Sequence, residues 1–161
     1  MFDSSWIQNL KSILEESGVT FNFSSCENFS YAFAYSKIKE IGVISAVKGT
    51  NFSYTFYYCG SLESVDRIDL KGDGSQTFLD TFMYCTALKD ITFTGVIGNS
   101  ISFRSSSLLS KASIENIVSV LSASASGKTL TLSLTAKQNA FSDSEWAALI
   151  GTKPNWNFSL L

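Results

Sequence analysis

The chain has 161 residues and a net charge of −2; 16% of the residues are charged, 45% are hydrophobic and 14% aromatic. That composition argues against disorder and predicts one domain, or two small ones, with a Ser/Thr/Asn surface. Without a basic stripe the chain is a poor match for nucleic acid or anionic membrane, and without histidine it lacks the usual general base and the commonest metal ligand.

The opening MFDSSWIQNL lacks a charged leader followed by an apolar run, so it is not read as a signal peptide. No stretch approaches the 18 consecutive apolar residues of a membrane span. The expectation is a chain not exported by that route, or a piece of a longer protein. Residues 5–15 place Trp6, Ile7, Leu10, Ile13 and Leu14 on one helical face, with Gly18 as the stop. VTFNF then alternates as a strand. Residues 1–27 are therefore expected to form an N-terminal cap.

Residues 28–105 repeat. The phrase TFYYCGSL at 55–62 returns as TFMYCTAL at 81–88, and an earlier copy begins at Asn28. The apolar positions are Phe29, Phe33, Ile38 and Ile41, then Phe52, Phe56, Leu62 and Val65, then Phe78, Phe82, Leu88 and Ile91. The first copy is one residue shorter and carries Ser36 where the others carry Cys59 and Cys85. A period in the twenties predicts units that bury their apolar side only by stacking, Phe over Phe and Leu over Leu. Within each copy the three-residue beat predicts a tight turn or one short helical turn. VDRIDL and KDITF then alternate as strands, and KGDGS and GNS are turn chemistry. After Ile101 the pattern degenerates into SFRSSSLL.

Residues 106–161 read as a C-terminal cap. Ile114, Ile117, Val118 and Leu121 form an amphipathic helical face, and TLTLSL follows as a strand. Ser142 and Glu145 make a capping box before a second helix, which Gly151 and Pro154 end. NWNFSLL closes as a strand.

The pattern F-x-x-C-x-x-L-x-x-(V/I), carried by Phe56, Cys59, Leu62, Val65 and by Phe82, Cys85, Leu88, Ile91, resembles the BspA-like leucine-rich repeats. The segment from LLSKASIENIVSVLS to NWNFSL is similar to the closing part of such proteins in bacteriophage tails and on bacterial surfaces. The resemblance implies an α/β fold: a short leucine-rich-repeat solenoid of parallel strands and turns, with a helical N-terminal cap and an α+β C-terminal cap. It also implies surface recognition or adhesion, in a phage virion or on a bacterial cell surface, with no catalytic residues and no cofactor to carry over.

Among side chains that could act, the tyrosines stand out. All six lie inside the repeats. Tyr35, Tyr58 and Tyr84 share one register; Tyr31 and Tyr54 share another, where the third copy has Asp80. They either pack between copies or form an aromatic strip facing solvent, suited to protein or sugar contacts. Other motifs favour plainer readings. SASASGKT at 122–129 lacks the first glycine of a phosphate-binding loop and follows a helix rather than preceding one. Asp66, Asp69 and Asp73 fall short of a calcium loop. Asn28 and Asn51, in two of four N-F-S triplets, share a repeat position and suit backbone bonding at a bend better than glycosylation. Cys26, Cys59 and Cys85 are spaced too widely for zinc and read as buried thiols, with a Cys59–Cys85 bond open if stacking brings them together.

Three functions are therefore weighed. The first is a non-enzymatic module binding a protein or glycan on a cell surface, the second a structural subunit that assembles into a larger particle, and the third a hydrolase using carboxylates.

Overall fold

The computed structural model describes residues 23–161. The expected helix over 5–15 and most of VTFNF lie outside them. The described chain is mixed α/β, with short parallel strands in two three-stranded sheets and three helices. The first sheet holds β1 (Glu40–Ser45), β2 (Ser64–Asp69) and β3 (Asp90–Thr94), in that order. The second holds β4 (Ile101–Phe103), β5 (Lys128–Leu132) and β6 (Trp156–Leu160). Helix α1 (Lys111–Ser119) lies between β4 and β5 in the chain; α2 (Leu134–Ala140) and α3 (Asp143–Gly151) lie between β5 and β6.

The three copies lie one upon another in register. Ile41 pairs with Val65 and Val65 with Ile91, while Ile44 pairs with Ile68 and Ile68 with Phe93. Before each strand the turn stacks in the same way. Phe29, Phe52 and Phe78 form one column of rings, with centroids 5.0 and 5.6 Å apart. Phe33, Phe56, Phe82 and Phe103 form a second, at 5.3, 5.5 and 4.6 Å. Leu62 and Leu88 are fully buried beneath them. All these rings are removed from water, which supplies most of what holds the copies together.

Backbone bonds run between copies as well. Phe33 N–H donates to Thr55 O, and Phe56 N–H to Thr81 O. Intervening residues bond three back, as Cys59 N–H does to Phe56 O. The turns are not helical: two residues in each have positive φ, which interrupts any helical run. The first sequence expectation, a tight turn, is the one realised.

Polar side chains inside the stack hydrogen-bond to backbone. Thr55 Oγ1 donates to Phe29 O and Thr81 Oγ1 to Phe52 O. Cys59 Sγ donates to Phe33 O at 2.9 Å and Cys85 Sγ to Phe56 O at 3.1 Å. These cysteines are free, so they are hydrogen-bond donors as well as space fillers, and no bond joins them. Asn28 and Asn51 accept from the N–H two residues on, as their shared position predicted.

The degenerate segment after Ile101 is a fourth turn. Phe103 stacks on Phe82, Ser106 N–H bonds Phe103 O, and Leu109 N–H bonds Ser106 O, as in the earlier turns. The ladder Glu63 N–H to Lys39 O and Lys89 N–H to Glu63 O continues with Ser110 N–H to Lys89 O. Where a fourth strand would follow, α1 follows instead. Its Ser113 Oγ accepts from Ile91 N–H, and Asn116 bonds both Phe93 N–H and Phe93 O through its amide. Side chains thus satisfy the edge of β3 that a neighbouring strand would otherwise pair.

The rest follows the sequence expectation with one addition. Ser142 and Glu145 form the capping box of α3, and both final strands are present. Helix α2 was not expected: it buries only Ala136 and Lys137, so no apolar period announces it.

Candidate functional site

Five of the six tyrosines occupy left-handed backbone. Tyr31, Tyr35, Tyr54, Tyr58 and Tyr84 have φ of 58°, 61°, 59°, 59° and 63°, and Asp80 has 48°. These six are the only described non-glycine residues with positive φ. Each such tyrosine costs roughly 1–2 kcal/mol relative to right-handed backbone. At Asp80 the third copy uses a residue type that tolerates this conformation, which ends the Tyr31–Tyr54 column.

The geometry turns these side chains outward while the phenylalanines between them point in. Tyr31, Tyr35, Tyr58 and Tyr84 remain 53%, 57%, 46% and 38% exposed; Tyr54 is partly covered. Tyr31 stacks on Tyr54 at 4.7 Å, Tyr35 on Tyr58 at 5.5 Å, and Tyr58 meets Tyr84 at 4.2 Å with a 38° tilt. The two alternatives of the sequence reading therefore coexist: the rings pack between copies and face solvent.

Tyr57 was not among the expected strip residues. Its register holds Ala34 in the first copy and Met83 in the third, so recurrence could not reveal it. It sits at the centre, edge-on to Tyr35, Tyr54, Tyr58 and Tyr84 at 4.8 to 6.1 Å, and so joins both columns into one cluster. Partial burial raises the Tyr57 phenol above its usual range, with further contributions from Tyr35, Tyr84, Asp80 and Tyr54. Tyr58 is raised chiefly by its hydrogen-bonding contact with the Tyr84 hydroxyl, then by burial. These phenols are neutral donors at physiological pH.

The border of the strip is mixed. Leu79 is exposed beside Asp80. In the fourth turn Arg104 lies against Met83, its Nη2 3.0 Å and its Nε 3.2 Å from the sulfur. The surface can offer ring edges, hydroxyls, one carboxylate and one guanidinium.

The other sequence candidates are otherwise engaged. Asp69 is paired with Arg67 and bonded by Thr94 Oγ1, and both lower its pKa. Asp73 is held down to about 2 by Lys71 and by the Ser75 N–H and hydroxyl. No cluster of three potential metal ligands exists among the described residues. SASASGKT lies between α1 and β5, so no helix N-terminus follows it. No described helix is long and apolar enough to cross a membrane. Compared with known protein families, curated proteins and solved structures, the chain matches none.

Proposed function

We propose that the chain is a short leucine-rich-repeat solenoid acting as a non-enzymatic recognition module, whose tyrosine strip binds a protein or glycan on a cell surface. The setting suggested by the repeat and tail resemblance is a phage tail or a bacterial surface. One observation carries the reading: tyrosine stands at five positions of left-handed backbone, where glycine, asparagine or aspartate would relieve strain. Ring stacking returns about 0.5–1.5 kcal/mol per pair, which offsets much of that strain but does not require the rings to stay half in water. Strained, exposed residues gathered on one surface fit a binding role. Tyrosine brings large contact area at low entropic cost, and the hydroxyls add donors and acceptors.

The test is binding of labelled protein to bacterial cells. Combined Tyr58→Ala and Tyr84→Ala replacement should weaken binding at least about tenfold, the loss of one or two hot-spot contacts, with circular dichroism unchanged. Binding equal to the parent chain would sink the strip. Protease or periodate treatment of the cells then separates a protein ligand from a glycan.

A second reading, a structural subunit of a larger particle, is favoured by the C-terminal end. There β6 pairs only with β5 among the described strands, and Leu134 and Leu161 are exposed beside it. Light scattering distinguishes the two: a persistent monomer that binds cells supports recognition, and a defined oligomer supports assembly.

A further inference from the structure

We propose that Tyr58 and Tyr84 form a site of oxidative cross-linking, joining the second and third copies through a carbon–carbon bond between their rings. The proposal does not depend on what the strip binds. It starts from the shortest ring separation among the described aromatic pairs, 4.2 Å. The 38° tilt brings one side of each ring closer than the centroids are, and the hydrogen-bonding contact between the two hydroxyls keeps the phenol ends of the rings together. Both rings are about half open to solvent, so a diffusing oxidant or a peroxidase reaches either one. The backbone keeps them in place: Tyr58 N–H donates to Met83 O at 2.9 Å, just before Tyr84, and both residues are held in left-handed conformation.

The chemistry needs an oxidant of the peroxide class. Each phenol gives up one electron and one proton and becomes a phenoxyl radical. The radicals join at the carbons adjacent to oxygen, and one new carbon–carbon bond forms. The hydrogen on each joined carbon then moves to its oxygen, restoring both phenols. Two hydrogen atoms leave the protein in all, and one hydrogen peroxide is reduced to two waters. A radical first formed elsewhere can reach the pair, because Tyr57 links every other tyrosine column to it at 4.8 and 6.1 Å.

The other close pairs are less suited. Tyr31 and Tyr54 lie 4.7 Å apart with nearly parallel planes, which face the rings without bringing two edges together. Tyr57 and Tyr58 are sequence neighbours held at 73°, edge to face. The Tyr58–Tyr84 product would act as a covalent tie across the rung, closing the loop between them as a disulfide does and shifting the unfolding midpoint upward. In this stack Cys59 and Cys85 are free and buried, with thiols raised by burial, which makes them poor thiolate nucleophiles, whereas the two tyrosines stand at the surface.

The experiment treats the folded chain with a haem peroxidase and limiting hydrogen peroxide at low protein concentration. Expected are dityrosine fluorescence, a chain of monomer size lighter by two hydrogen atoms, and a digest in which the peptide holding Tyr58 is joined to the one holding Tyr84. Tyr58→Phe and Tyr84→Phe, which remove only a hydroxyl, should each reduce that linked peptide to background, while Tyr31→Phe leaves it unchanged. Urea before oxidation should abolish it. Cross-linked dimers only, a linkage between other tyrosines, undiminished linkage in Tyr84→Phe, or no linkage at all would each overturn the assignment.

Discussion

Passing from β1 to β2 and from β2 to β3, the chain crosses a loop and a turn in which Phe52, Thr55, Phe56, Cys59 and Leu62 are matched in order by Phe78, Thr81, Phe82, Cys85 and Leu88. Passing from β4 to β5 and from β5 to β6, it crosses one helix and then two, so the connections are unlike even though the strands still pair Leu132 with Leu160. Both sheets are parallel and three-stranded. In the first, like stacks on like: phenylalanine rings, then threonine and cysteine side chains bonded to the copy before. In the second, single residues do specific jobs. Trp156 Nε1 donates to Ser122 O, and Lys153 Nζ donates to Ser119 O and Leu121 O at the end of α1. Repetition spreads stability over identical contacts between neighbours, whereas the helical half concentrates it in unrepeated ones.

The largest effect should come from breaking a column in the repeated half. Phe82 is buried between Phe56 and Phe103 and meets Phe93 edge-on at 6.3 Å. Phe82→Ala should destabilise by about 3–5 kcal/mol in denaturant unfolding, the usual cost of emptying such a site. Because the ring sits where the third turn meets the fourth, the loss should lower the midpoint of the whole described chain. A separate early transition confined to one half would show that the two halves are not joined through this column.

A smaller effect should come from the junction itself. Asn116 replaces a strand residue by offering its amide to Phe93 N–H at 2.7 Å and Phe93 O at 3.2 Å. Asn116→Leu keeps the size and leaves both backbone groups without those partners. A loss of about 1–3 kcal/mol is expected, since an unsatisfied buried polar group costs that much. Hydrogen exchange should show the Phe93 amide losing protection first. If stability and exchange are unchanged, water serves that edge as well as the side chain does.

How much of this was legible depends on the same contrast. The registers of Phe56 with Phe82 and of Leu62 with Leu88 followed from the repeat, because stacked copies must put equal positions together. The α1 face, the β5 and β6 strands and the α3 capping box followed from local periodicity and caps. The fourth turn was hidden because Phe103, Ser106 and Leu109 keep only the skeleton of the pattern, with serine in place of cysteine. The α1-for-strand substitution was not readable, since it rests on Asn116 reaching another element. At the tyrosine strip, the shared registers were visible but the left-handed backbone was not. Tyrosine is not a residue from which positive φ would be read, and Tyr57 has no counterpart in the other copies.

The gentlest prediction probes one carboxylate in each half by pH. In α3, Glu145 accepts from Ser142 N–H and pairs with Lys111 of α1 at 2.8 Å; these bonds hold its carboxyl down to about 2, against 4.5 for the free side chain. A carboxyl whose folded pKa is depressed binds its proton more readily when unfolded. Its contribution is therefore complete above about 4.5 and is lost as pH falls toward 2. Glu145 is exposed, so solvent screens the pair and the effect is modest. In the repeated half, Asp73 has a folded pKa of about 2 as well, held by Lys71 and Ser75 in a surface turn, and contributes in the same window. Unfolding curves of the parent chain and of Glu145→Gln, measured from pH 6 to pH 2, should converge as the pH falls. Glutamine keeps an acceptor for the capping box but loses the charge facing Lys111, so its curve should be flatter. Adding Asp73→Asn should flatten it further and independently, because the two carboxylates share no partner. Parallel curves, with the parent advantage undiminished at pH 2, would mean that Glu145 acts through packing at the α1–α3 contact and that its charge contributes nothing.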